Sequence, residues 1–181
     1  FKLKFMRYLF SVVIAVYNSE KFLHKSINSV LKQKKNVQVI LINDGSTDKS
    51  KKICNWFAKK YNFIQVINHK KNYGVAVSRN DGIKASKGKY IIFLDSDDEL
   101  FEKSLEGLEK VINDKINVDV IVGKYIKKTF PYSNYSLIKN KVKNTEDFIN
   151  RINKKNFPVG QCWPFIVNKN FILKNKIYFP L

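Results

Sequence analysis

The stretch G-K-Y-I-I-F-L-D-S-D-D, Gly88 to Asp98, gathers apolar residues from Tyr90 to Leu94 and then breaks into clustered carboxylates. A short apolar run bounded by glycine and acidic turn residues reads as a strand covered on both faces. Earlier segments share that form. Phe10 to Val16 is continuous, apolar and β-branched, and Val37 to Ile42 repeats the pattern. Phe63 to Ile67 is shorter and reads as lying nearer a sheet edge. Helical spacing fills the gaps between these runs. Phe22, Leu23, Ser26, Ile27, Val30 and Leu31 share one face, with Asn18 or Ser19 as the expected cap. Ile53, Trp56, Phe57 and Tyr61 share a second, capped by Ser46 or Thr47. Val75, Val77 and Ile83 mark a third, expected to stop at Gly88.

Strands alternating with helices in this way predict βαβ units and a mostly parallel sheet. Every strand-to-helix turn then falls on the carboxyl edge, where open α/β sheets bind ligands. Tyr17, Asn18, Asp44, Gly74, Asp95 and Asp97 occupy those turns. Beyond Leu100 the pattern weakens. Leu105, Leu108, Val111 and Ile112 predict a helix, and Val118 to Val122 a strand. Residues 123–144 have no firm period, and Thr145 is the expected cap of a short helix. Trp163 to Val167 and Phe171 to Phe179 read as strand and helix pieces.

The turns also suggest chemistry. Asp95 and Asp97 leave a buried strand one residue apart, and like charges that close repel unless a cation lies between them. Mg²⁺ or Mn²⁺ prefers oxygen ligands and completes its shell with phosphate oxygens and water. A solvated acidic turn capping the next helix is the alternative. Asp44 offers only acceptors, which suits a ligand N–H such as that of uracil, or an Asx-turn. Tyr17 offers a flat face for a base, or ordinary packing. The Arg79 guanidinium suits a phosphate or a surface ion pair. Trp163 could stack on a sugar ring or fill the core.

Composition sets the outer bounds. The chain has 181 residues, 44% of them hydrophobic, enough for one core rather than a disordered tail. Its net charge of +19 comes from lysines scattered in ones and twos. That pattern lacks the interleaved aromatics of an RNA-binding surface, so no specific nucleic acid is expected. Loose contact with an anionic membrane fits better. No apolar run is long enough to span a bilayer. Lys2, Lys4 and Arg7 imitate the start of a signal peptide, but no small-residue cleavage site follows. The expected location is cytoplasmic, peripheral at the inner face of the membrane. Cys54 and Cys162 form no metal or disulfide pattern and read as reduced core thiols. Met6 is the only methionine, so either it is the natural start or the chain is an excised piece.

S-V-V-I-A-V-Y-N-S-E from Ser11 resembles the opening strand of inverting GT-A glycosyltransferases of family two, with Ala15 where the family usually has proline. I-N-D-G-S-T-D from Ile42 is similar to the family's D-D-G-S-T-D turn, with Asn43 replacing the first aspartate. N-Y-G-V-A-V-S-R-N-D-G-I from Asn72 is similar to its N-x-G-x-x-x-A-R-N-x-G segment. The opening stretch from Gly88 resembles its D-x-D strand. These motifs fall in family order over residues 11 to 98, whereas the tail to residue 181 matches loosely.

The resemblance implies an α/β, GT-A fold with a Rossmann-like, mostly parallel central sheet flanked by helices. Residues 1–98 would form the nucleotide-sugar-binding half, and 99–181 the incomplete start of an acceptor-binding half in the same domain. The donor would most often carry UDP, cradled by Ala15, Tyr17, Asn18, Asp44 and Arg79. Asp95 and Ser96 would lie at the ribose and diphosphate, and Asp97 with Asp95 at the metal, Mn²⁺ or Mg²⁺. The sugar would pass with inversion to an oligosaccharide, lipid-linked or polysaccharide acceptor. In relatives the general base follows an aromatic–Phe–Pro segment, which Tyr178–Phe179–Pro180 resembles. That base is therefore expected beyond Leu181, and this chain is expected to bind donor better than it transfers sugar.

Two other readings remain open. A haloacid-dehalogenase-like phosphatase also places D-x-D after a strand, although there the nucleophilic Asp follows the first strand. A non-catalytic polyanion or membrane-surface module would use the basic surface alone. A dinucleotide-binding domain is disfavoured, because no G-x-G-x-x-G follows the first strand.

Overall fold

The computed structural model describes residues 8–33, 36–114, 118–122 and 165–180. The apolar runs form β1 (Tyr8–Val16), β2 (Val37–Asn43), β3 (Ile64–Asn68) and β4 (Gly88–Phe93), followed by β5 (Val120–Val122) and β6 (Phe165–Asn168). The helices are α1 (Leu23–Leu31), α2 (Ser50–Lys60), α3 (Val75–Ala85), α4 (Ser104–Asn113) and α5 (Lys169–Lys174). All strands join one sheet in the order β3-β2-β1-β4-β6-β5. β1 to β4 run parallel, and β6 is antiparallel to both β4 and β5. The expected mostly parallel sheet is present, with β3 at its edge.

Helices cover both faces, which is why the strands are apolar throughout rather than alternating. On one face Val12, Ile14 and Val16 pack with Leu23 and Ile27 of α1, Phe57 of α2 and Leu105 of α4. On the other, Val13, Ile40, Ile42, Ile91 and Phe93 meet Ile83 of α3 and Ile172 of α5. Among the described residues no helix is long and apolar enough to cross a membrane.

Several local expectations need correction. Neither Asn18 nor Ser19 caps α1 with its side chain. The chain turns earlier, and the N–H groups of Phe22 and Leu23 donate to the Ser19 carbonyl at 3.0 and 2.9 Å. Ser46 and Thr47 do not cap α2. Asp48 Oδ1 accepts instead from the Ser50 N–H at 2.9 Å. Gly88 does not stop α3, which ends at Ala85; it begins β4, donating its N–H to Ser11 Oγ at 2.8 Å. Phe22, Trp56 and Val75 fall on the apolar helical spacing, yet each is exposed. Thr145, Cys162 and Trp163 lie outside the described residues.

The buried face of α3 consists instead of Ser78, Asn80, Gly82 and Ile83. Small residues there let the helix settle close to β1. A Cβ at Gly82 would overlap Val13 Cγ1 and lie 3.0 Å from Cγ2 and 3.2 Å from Cβ, so rotating the valine cannot clear it. Helix propensity alone favours alanine at this position by about 1 kcal/mol. The clash decides the sign: Gly82→Ala should lose about 1–3 kcal/mol in urea unfolding. Val13→Ala should recover part of that loss in the double mutant. A Gly82→Ala protein as stable as the parent would mean that α3 can lift from β1 freely.

Candidate functional site

β1 lies between β2 and β4, so three parallel strands end side by side. Side chains alternate along a strand. Val13, Ile42 and Phe93 all point into the layer under α3. Two residues on come Ala15 within β1, and Asp44 and Asp95 just past the ends of β2 and β4. Ala15 is half-buried and small; Asp95 follows the end of β4 on one side of it, and Asp44 lies two residues further along on the β2 side. Both aspartates reach α3 or its first residue's neighbour. Asp44 Oδ2 accepts the Gly74 N–H at 2.8 Å, and Asp95 Oδ1 accepts from Arg79 Nη2 at 2.9 Å.

Asp44 is 3% exposed and heavily used. Its Oδ1 meets the Tyr73 N–H at 2.9 Å and His69 Nδ1 at 2.7 Å. Its own N–H donates to the Val16 carbonyl at 2.8 Å. These bonds satisfy a turn that needs Gly74, whose φ of 94° disfavours any side chain. A carboxylate has about four lone-pair positions, so one on Oδ2 stays open.

Tyr17 projects at this rim and is 48% exposed. Asn18 beside it is not free. At φ 48°, it accepts at Oδ1 from the Thr47 N–H at 2.9 Å, tying the β1 loop to the β2 loop. Ser19 N–H donates to Ser50 Oγ at 2.8 Å, and Ser19 Oγ lies 2.6 Å from Ser96 Oγ. Ser96 is thereby fixed against the β1 loop.

Arg79 is already paired with Asp95, and its guanidinium carbon sits 5.3 Å from the Phe179 ring centre. Four of its five N–H donors lie beyond that one bond. Asp97 is exposed and makes no hydrogen bond among the described residues. At neighbouring Asp98, partial desolvation and then the charges of Asp97 and Asp95 push the carboxyl above its ordinary range. Among the described residues no cluster of three or more acidic, His or Cys side chains converges as a ready-made metal cage. The donors present suit a hard ion held by one or two carboxylates, with phosphate and water supplying the rest.

Sequence reasoning missed His69, and it placed Asn80 beside Arg79 on the helix after the third strand without its actual role. His69, at the end of β3, lies between Asp44 and Asp81. The hint was its position, one strand end along from Asp44. Asn80 clasps the backbone of Phe179: its Nδ2 donates to the carbonyl at 3.0 Å, and its Oδ1 accepts the N–H at 2.9 Å. Nothing in sequence marks a pair that distant. Removing the Asp44 carboxylate should leave the Tyr73 N–H without its partner and the Gly74 N–H with Asn72 Oδ1 alone, at 2.8 Å. Asp44→Ala is therefore expected to speed hydrogen exchange at Tyr73 and Gly74 selectively. Unchanged exchange at both amides would mean that the turn holds itself.

Comparison with known proteins points one way. Residues 11–171 match the family described as Glycosyl transferase family 2. Glycosyltransferase GlyG of Streptococcus pneumoniae serotype 4 is 39% identical over 121 residues, covering 66% of this chain. The cholesterol galactosyltransferase of Borreliella burgdorferi is 33% identical over 189 residues, covering 94% of this chain. The chain spans 40% and 51% of the lengths of those two relatives. The crystal structure of S. aureus TarS 1–349 superposes with a TM-score of 0.77 at 27% identity, over 94% of this chain and 50% of TarS. TarS has also been solved with UDP and with UDP-GlcNAc. With the strand order, the carboxyl-edge aspartates and a family match over most of its length, the chain belongs to glycosyl transferase family 2.

Proposed function

We propose that this chain binds a UDP-sugar at the carboxyl edge beside Ala15 and transfers the sugar, with inversion, to a surface-glycan acceptor. The observation that carries the reading is that Ala15, the exposed Tyr17, Asp44 and Asp95 share the carboxyl edge of three adjacent parallel strands, with Asp44 bonded to the Gly74 N–H before α3 and Asp95 to Arg79 of α3. The UDP complexes of TarS support the choice of nucleotide. The family assignment supports sugar transfer and gives no support to the phosphatase alternative.

Roles follow from chemistry. Tyr17 stacks on the base, which costs little ordering because an aromatic ring is rigid. Asp44 accepts a base N–H at its open Oδ2 position and holds the loop beside it. Asn18 fixes the approach of the β1 loop, and Ser96 with Asp95 lies at the ribose. Arg79 holds Asp95 in place and offers its remaining donors to phosphate oxygen. Asp97 and Asp95 would hold Mn²⁺ or Mg²⁺ beside the diphosphate. When bound, that ion stabilises negative charge on the departing diphosphate.

Residues 1–98 form the donor half, and 99–181 begin the acceptor half. The acceptor hydroxyl needs a base. The Asn80 clasp and the Phe93–Phe179 edge contact at 5.1 Å set the Tyr178–Pro180 segment beside Arg79 and Asp95. A base following this segment in the chain would enter the cleft from that side, toward an oligosaccharide, lipid-linked or polysaccharide acceptor. A cytoplasmic site at the inner membrane face suits such acceptors. A groove of about 600 Å³ between α1 and α2, carrying Lys21, Lys49, Lys52 and the exposed Trp56, supports loose contact with anionic lipid.

Calorimetry with UDP and Mn²⁺ tests the reading. UDP should bind more tightly with Mn²⁺ than without, and Asp97→Ala should weaken the metal-dependent part about tenfold or more. The Asp98 carboxyl gives a pH sign. Raised on folding, it favours the folded state while protonated, and that contribution is lost as pH climbs through its folded value. A cation beside Asp97 offsets that loss, so Mn²⁺ with UDP should raise the melting temperature more near neutral pH than in acid. UDP binding indifferent to both Mn²⁺ and Asp97→Ala would count against the metal-bridged site.

A further inference from the structure

α1 carries polar side chains on a side that it buries. Ser26, Ser29 and Gln33 are spaced three and four residues apart, so they follow one helical face, and each is buried. Gln33 lies two residues past the end of α1. Serine favours a helix less than alanine does, and a buried hydroxyl or amide is costly unless hydrogen-bonded. The partners of all three lie in one connection. Ser26 Oγ donates to the Asp95 carbonyl at 3.3 Å, and the Leu100 N–H donates to Ser29 Oγ at 2.9 Å. Gln33 Nε2 donates to the Phe101 carbonyl at 2.9 Å, while its Oε1 accepts the Leu105 N–H at 3.2 Å. The order of partners is the same along both segments, as in a rail.

The connection from β4 to α4, residues 94–103, contains neither helix nor strand. Its backbone closes a turn over Ser96 and Asp97, where the Asp98 N–H donates to the Asp95 carbonyl at 3.0 Å. That carbonyl is the one Ser26 holds. Arg79 fixes the Asp95 carboxylate, and Ser19 Oγ lies 2.6 Å from Ser96 Oγ. Ser29 and Gln33 then fasten the chain again at Leu100 and Phe101. Asp97 stands between these two sets of anchors, exposed and with no hydrogen bond of its own among the described residues. Its direction is therefore set by the backbone that carries it. Divalent cations take oxygen ligands within narrow distances, and a loose loop would pay its ordering cost at binding.

We propose that Ser26, Ser29 and Gln33 are positioning residues that set the Asp97 carboxylate for a metal-bound diphosphate. They touch neither nucleotide nor metal, and they act through the backbone of residues 95–101. The inference deepens the donor-site reading above and rests on its metal-bridged diphosphate.

Two variants of the whole chain test it. Ser26→Ala with Ser29→Ala removes two hydroxyls, and alanine fits both places and favours the helix. Gln33→Met removes the amide at similar length. Hydrogen exchange should quicken at Leu100 in the first variant and at Leu105 in the second. In calorimetry, each should lose about tenfold in UDP affinity with Mn²⁺ and keep the parent's affinity without it. Added to Asp97→Ala, the same substitutions should cost nothing further, because they act through that carboxylate. A merely structural role would weaken UDP binding equally with and without Mn²⁺, and in both backgrounds. That result would overturn the proposal, as would unchanged exchange at both amides, or faster exchange with the Mn²⁺-dependent affinity intact. Failure of the donor-site reading shows elsewhere, in a parent protein whose UDP affinity ignores Mn²⁺, and this inference would fall with it.

Discussion

The carboxylate of Asp44 is buried at the end of β2, and it joins elements that the sheet alone leaves separate. Backbone N–H groups of the turn before α3 point at it, and so does the imidazole at the end of β3. Its own N–H is bonded to the end of β1. The position of α3 follows from this anchor, since its first residue comes directly after Gly74. From α3, Arg79 reaches across to Asp95 at the end of β4. One hydrogen-bonded path therefore runs from β2 through α3 to β4 and so spans the strand between them, β1. This path is already hydrogen-bonded before any ligand arrives, and an edge so fixed would lower the ordering cost of binding.

Two small residues make that span workable. Gly82 lets α3 approach β1 closely enough for Arg79 to reach Asp95. Ala15 places only a methyl group at the end of β1. A second brace, from Asn18 and Ser19 to the β2 and β4 loops, fixes the near wall without using Tyr17. The exposed aromatic and the exposed Asp97 are left as the groups with free valence at the rim.

The parallel sheet was legible in the sequence because double-sided burial forces uninterrupted apolar runs, and those runs fixed which turns share an edge. Asp44, Asp95 and Asp97 could be singled out because each follows such a run. Helix starts were less legible. Asn18 and Thr47 are good capping types, but they spend their hydrogen bonds on each other across two loops, a tertiary choice that local propensity cannot show. Trp56 follows helical spacing yet lies at the surface against His24 and Phe57. His69 and Asn80 act through partners far along the chain or on a neighbouring strand end, and no spacing rule announces them. Asp44 does not make the local Asx-turn of its conservative reading: its carboxylate braces the distant Tyr73–Gly74 turn instead.

The account stands on a single location, the carboxyl edge at Ala15, Asp44 and Asp95. Crystals soaked with UDP and Mn²⁺ and measured near the manganese absorption edge would locate both partners directly. The account predicts one anomalous peak against the Asp97 carboxylate, with the uracil lying between Tyr17 and Asp44. Manganese or nucleotide found instead in the groove between α1 and α2, with that edge empty, would contradict it.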